Sequence, residues 1–118
     1  MRVPTILAVA ATLGMAGAAR ADEWSTGADL RCVVAFTALV NNPTYREAAA
    51  SGIFYYVGRL EGRDPTLDLA KGLKQVRGAM MVSQYAGEAQ RCGAELKAKN
   101  DALRAISPAA MDKRGVGN

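Results

Sequence analysis

Two cysteines, Cys32 and Cys92, sixty positions apart, constrain this chain more than any other feature. Whether they pair depends on compartment, and the N-terminus speaks to that. Arg2 supplies a positive start. Ile6 to Ala19 is an uncharged, mostly apolar run, and Ala19-Arg20-Ala21 puts small residues at both positions a signal peptidase reads. Residues 1–21 therefore read as a secretory signal peptide, with Asp22 as the mature N-terminus. A membrane-spanning helix takes about 20 apolar residues. This run is shorter and rich in alanine, so no stable membrane insertion is expected after cleavage. The expected location is periplasmic or secreted, where disulfides persist. Two thiols allow one intramolecular pairing, so a Cys32–Cys92 bond is expected. Closing a loop of that size stabilises by about 4 kcal/mol on the chain-entropy argument. That is a large share of the roughly 5–15 kcal/mol that holds a typical domain together.

Cleavage leaves 97 of the 118 residues, enough for one domain with one modest core. Losing Arg2 and Arg20 lowers the net charge from +4 to +2, with the basic residues scattered. That balance argues against a nucleic-acid partner.

Apolar spacing predicts four helices. The first runs from about Ala28 to Asn41, with Leu30, Val33, Val34 and Thr37 on one face and Phe36 and Val40 beside it. Asn41-Asn42-Pro43 stops it. Thr44 and Glu47 fit a capping box that starts the second helix. Ala49, Ile53, Tyr56, Val57 and Leu60 form its stripe, and Gly62 stands where a C-cap is expected. Asp64 and Pro65 suit the N-cap and first turn of a third helix carrying Leu69, Leu73, Val76 and Met80. A fourth begins near Ser83, and Tyr85, Ala89, Cys92, Leu96, Leu103 and Ile106 share its stripe. The expected fold class is all-α: a small antiparallel bundle of about four helices with one inter-helix disulfide. Residues 22–106 make the helical domain and 107–118 a flexible C-terminal tail. The bond would tie the first helix to the last, with the middle helices packed between them. Six glycines, at 52, 58, 72, 78, 87 and 93, fall inside these helices, where each costs up to about 1 kcal/mol relative to alanine. Tight helix packing explains them if a neighbour sits where a Cβ would be. A deliberately soft bundle is the other reading.

There is no histidine in the chain. That removes Ser-His-Asp and Cys-His catalysis and the usual zinc sites. No phosphate-binding or dinucleotide motif occurs. No enzyme activity, cofactor or metal is expected. Glu61, Asp64 and Asp68 are the nearest approach to a cation site, without the further oxygen ligands a hard cation takes. The densest chemistry lies in Phe54, Tyr55, Tyr56, Arg59 and Arg63. Tyr55, Arg59 and Arg63 fall in register at i, i+4 and i+8. Two guanidinium groups beside a phenol suit a carboxylate or phosphate. A structural reading stands next to it, with Arg59 stacked on Tyr55 or paired with Asp64 or Glu47.

Trp24 ahead of Cys32, the run Cys32-Val33-Val34-Ala35-Phe36, the segment Tyr56-Val57-Gly58-Arg59-Leu60-Glu61-Gly62, and Cys92 in a later helix carry a resemblance. They resemble small disulfide-bonded helical periplasmic acid-stress chaperones and related uncharacterised exported proteins. The resemblance implies a non-catalytic binding protein whose partner is an unfolded client protein. In acid, carboxylate protonation would loosen the helices and expose Phe54, Tyr56, Val57 and Leu60. With no histidine, Asp and Glu are the side chains able to sense such acidity. Two other classes stay open: a small-anion or lipid carrier or sensor, and a structural subunit of an envelope complex.

Overall fold

The computed structural model describes residues 16–106, with side chains from Thr26 onward. It contains α1 (Ala16–Leu39), α2 (Arg46–Arg63), α3 (Leu69–Ala79), a 3-10 turn (Val82–Gln84) and α4 (Tyr85–Ile106). No strand occurs among the described residues. The all-α fold with four helices and an inter-helix bond is as expected. Cys32 on α1 is bonded to Cys92 on α4, with Cα atoms 5.7 Å apart and both residues fully buried. The expected cleavage site falls within α1, ahead of the first described side chain. Most of the expected signal, the side chain of Trp24 and the expected tail at 107–118 lie outside the described residues.

The packing differs from a four-sided bundle in one respect. α1 is the hub. α2, α3 and α4 each pack on α1, α2 touches α4 only marginally, and α3 packs on neither α2 nor α4. The middle helices are therefore not sandwiched between the outer ones. The reason lies in α1, which is apolar on more than one side. Leu30, Val33, Val34, Ala35 and Phe36 are all buried, and no other helix has that breadth. Tyr56, Leu60 and Ala49 of α2 and Cys92 of α4 complete the core. Leu69, Leu73 and Val76 of α3 pack against its edge without being buried. Thr37, expected on the inner face, is exposed, and its hydroxyl donates back to the Val33 carbonyl at 2.7 Å. On α4 the apolar stripe outruns the bundle. Leu103 and Ile106 are 61% and 78% exposed.

Local chemistry moved three helix ends. The Thr44 capping box does not form. Asn42 takes the Thr44 amide onto its own side chain at 3.0 Å, and Tyr45 becomes the N-cap of α2. α2 also runs past Gly62 to Arg63 and is closed by Asp64 in an extended conformation. Asp64 is the C-cap of α2, not the N-cap of α3. Its carboxylate accepts from the Thr66 amide at 3.0 Å and hydroxyl at 2.6 Å, closing the turn around Pro65. Those bonds from Thr66 hold the Asp64 carboxyl below its usual range. Asp68 is the N-cap of α3 instead, accepting from the Lys71 amide at 3.0 Å.

The interior glycines divide. A Cβ on Gly52 would lie 2.5 Å from the Phe36 ring and 3.0 Å from Leu96, and one on Gly72 would lie 3.2 Å from Leu30. Close approach of α1 requires glycine at 52, whereas at 72 the Leu30 side chain would have to give by a few tenths of an ångström. Gly58, Gly62, Gly78, Gly87 and Gly93 face open space, so packing does not explain them.

Candidate functional site

α1 and α2 run antiparallel, so the middle of α1, at Asp29, meets the end of α2. There the carboxylate of Asp29, with no exposed surface, accepts from two arginines of α2. Arg59 grips it with Nε (2.9 Å to Oδ2) and Nη2 (to Oδ1). Arg63 reaches Oδ2 at 2.7 Å. Arg59 continues outward: its Nη1 donates to Glu95 of α4 and to the Tyr55 hydroxyl at 3.3 Å. The Tyr56 hydroxyl donates to Glu95 Oε2 at 3.0 Å and lies 3.2 Å from the Cys92 carbonyl. The guanidinium carbon of Arg59 sits 5.5 Å from the Tyr55 ring centre and 5.1 Å from that of Tyr56. One network thus links α1, α2 and α4 through two carboxylates and two guanidinium groups.

A bidentate grip of this kind satisfies both oxygens of a buried carboxylate, which a dry interior demands. The bonds to Asp29 raise the Arg59 guanidinium above its already high value, despite partial burial. Burial, with the bond to Glu95 second, pushes the Tyr56 phenol well above its usual 10.0.

A second carboxylate cluster borders the disulfide. Glu88 of α4 accepts from Arg31 of α1 at 3.0 Å and from Arg91 at 2.6 and 2.9 Å. Arg91 also donates to the Ala28 carbonyl at 3.1 Å and approaches Cys32 Sγ at 3.2 Å. Cys32, Cys92 and Glu88 hold their ligand atoms within 4.8 Å of one another. The sulfurs are bonded together and Glu88 is held by two guanidinium groups, so in this state the cluster offers a cation no thiolate. Of the carboxylates considered for a cation, Asp64 and Asp68 are engaged as turn and helix caps.

The five residues singled out by the sequence separate into two groups. Tyr55, Tyr56, Arg59 and Arg63 converge, but around the protein's own carboxylates. Four of the five N–H groups of Arg59 are already donated. An incoming anion would have to displace Asp29 or Glu95 from it. Arg59 does stack on Tyr55, while its ionic partners are neither Asp64 nor Glu47. Phe54 stands apart, 79% exposed on the far side of α2. Asp29, Glu88 and Glu95 were not among the candidates. Asp29 had a readable signal: it stands four residues before Val33 and seven before Phe36, in register with the buried face.

A trough lies between α2 and α4, and Tyr55 lines part of it. Two cavities of about 700 and 370 Å³ meet there, sharing Phe36, Ala48 and Gly93. Among the described residues, no helix is long and apolar enough to cross a membrane. Comparison with protein-family models, curated proteins and solved structures finds no match to this chain.

Proposed function

We propose that this chain is a non-catalytic, exported helical binding protein, a periplasmic stress chaperone opened by acid. The observation that carries the reading is the network of Asp29, Arg59, Arg63 and Glu95. It ties α2 to α1 and α4 through carboxylates, and Glu88 ties α4 to α1 in the same way. In a chain without histidine, these inter-helix links respond to one stimulus, acid strong enough to protonate carboxylates. Each protonation removes a negative charge and leaves its arginine partners, Arg59 and Arg63 at Asp29 and Arg31 and Arg91 at Glu88, repelling one another. Opening then uncovers Tyr56, Leu60, Val33 and Phe36, the inner faces of α2 and α1. Phe54 needs no uncovering. The covalent bond holds α4 to α1 throughout, so the chain opens without scattering.

The test is aggregation of an acid-labile protein at about pH 2–3, where carboxylates are protonated. The chaperone should suppress it, and Glu95→Gln should suppress at higher pH than the unaltered protein because one link is already absent. No suppression at any ratio would end the proposal.

A further inference from the structure

The trough along α4 has a chemistry of its own. Its α4 wall is one helical face: Ala86, Ala89, Gly93, Leu96, Asn100 and Leu103 follow each other at three- and four-residue steps. From Ala86 to Arg104 that face runs about 27 Å at 1.5 Å per residue. Its Ala86 end is almost wholly apolar, floored by Phe36 and Leu39 of α1 and faced by Ala49 of α2. Its other end carries charge. Lys97, Lys99 and Arg104 line it, with Glu47 and Asp101. Lys97 is paired to Asp101 at 2.7 Å. Lys99 and Arg104 enter no ion pair among the described residues. An apolar slot that ends in two uncommitted cations, against one uncommitted carboxylate, has the polarity of a ligand with a long apolar body and one negative end. Each of the two cavities, about 700 and 370 Å³, falls in the range of small-molecule sites, about 300–1,000 Å³.

We propose that this trough binds a single-chain amphiphile with an anionic head group. The alkyl chain lies over Phe36 and Leu39, and the head group meets Lys99 and Arg104. The side chain missing at Gly93, in the middle of the trough, keeps the two halves continuous. A Cβ there meets nothing within 4 Å, so no packing demand explains that glycine. The trough belongs to the closed bundle, so this proposal is independent of acid opening.

Calorimetric titration at neutral pH tests it, with laurate below its micelle concentration and dodecyl maltoside as the uncharged counterpart of equal chain length. Laurate should bind at a single saturable site. Gly93→Leu, whose Cβ would meet nothing within 4 Å and which improves helix propensity, should keep the fold by circular dichroism and abolish binding. Lys99→Gln with Arg104→Gln, both exposed, should weaken laurate by about tenfold, the upper range for two exposed charge pairs, and leave the maltoside unchanged. Absence of saturable laurate binding overturns the proposal. So does undiminished binding by Gly93→Leu, which would place the ligand elsewhere. Equal laurate affinity in the doubly neutralised variant, or maltoside binding as tightly as laurate, removes the anionic head group from it.

Discussion

Replacing Arg59 by Met should cost more than replacing Asp29 by Asn, although both break the same pair. The asymmetry follows from burial. Arg59→Met leaves a carboxylate with no exposed surface and only Arg63, through a single bond, to compensate it. Stripping the partner from a buried charge costs about 3–5 kcal/mol. The thioether retains part of the stacking on Tyr55 and Tyr56, so about 4 kcal/mol is expected, within that range. Asp29→Asn removes the buried charge itself. The guanidinium groups left behind are about one-third exposed and turn to water, and Arg59 keeps Glu95. The loss is then of the order of one or two charge-assisted hydrogen bonds, about 2 kcal/mol. For a domain of this size each kcal/mol moves the midpoint by roughly 4–8 °C, so drops of about 20 °C and about 10 °C are expected. The double variant should lose less than the sum, with a coupling of about 0.5–3 kcal/mol. Thermal and urea unfolding of the oxidised protein at pH 7, followed by far-ultraviolet circular dichroism, measure all three. Equal or greater damage from Asp29→Asn, or a loss below about 1 kcal/mol from Arg59→Met, would refute the view that a buried, arginine-compensated carboxylate holds α2 in place.

Gly52→Ala should destabilise by about 1–3 kcal/mol through overpacking against Phe36, whereas Gly58→Ala, facing open space, should stabilise by up to about 1 kcal/mol; urea midpoints give both. The phenol of Tyr56 holds its proton more tightly in the folded state than in the unfolded chain. Its contribution is therefore complete below about pH 10, the unfolded value, and is lost as pH rises through the higher folded one. Tyr56→Phe should flatten the fall in stability above pH 10, and an unchanged alkaline slope would show that another group sets it. Replacing both cysteines by serine should remove about 4 kcal/mol on the loop-entropy argument and lower the midpoint; a loss under about 1 kcal/mol would mean that the unfolded chain is already compact.

Helix number and the inner faces of α1 and α2 were legible because they depend on periodicity. Leu30, Val33, Tyr56 and Leu60 needed only spacing to be placed in the core. Helix ends were not legible in the same way. Thr44 and Asp64 both carry cap chemistry, yet a neighbour two residues away, Asn42 or Thr66, competes for the same short-range bonds. Spacing cannot rank such rivals. The site was half legible. Tyr55, Arg59 and Arg63 stood out as a register, but their partners Asp29 and Glu95 lie 30 and 36 positions from Arg59. Local pattern offers Asp64 and Glu47 instead, because they are near in sequence. The exposed end of α4 was misread for a related reason: a stripe shows that a face is apolar, not that a partner helix is long enough to cover it.

The hub arrangement also sets the order in which the molecule comes apart. α3 has no fully buried side chain and, among the described helices, leans on α1 alone. Peeling it away uncovers one edge of Leu30 and leaves the Asp29 lock and the sulfur bond untouched. Amide protons of α3 should therefore exchange by a small local excursion while those of α1 wait for global unfolding. Breathing in this fold is confined to one spoke, and the axle stays still.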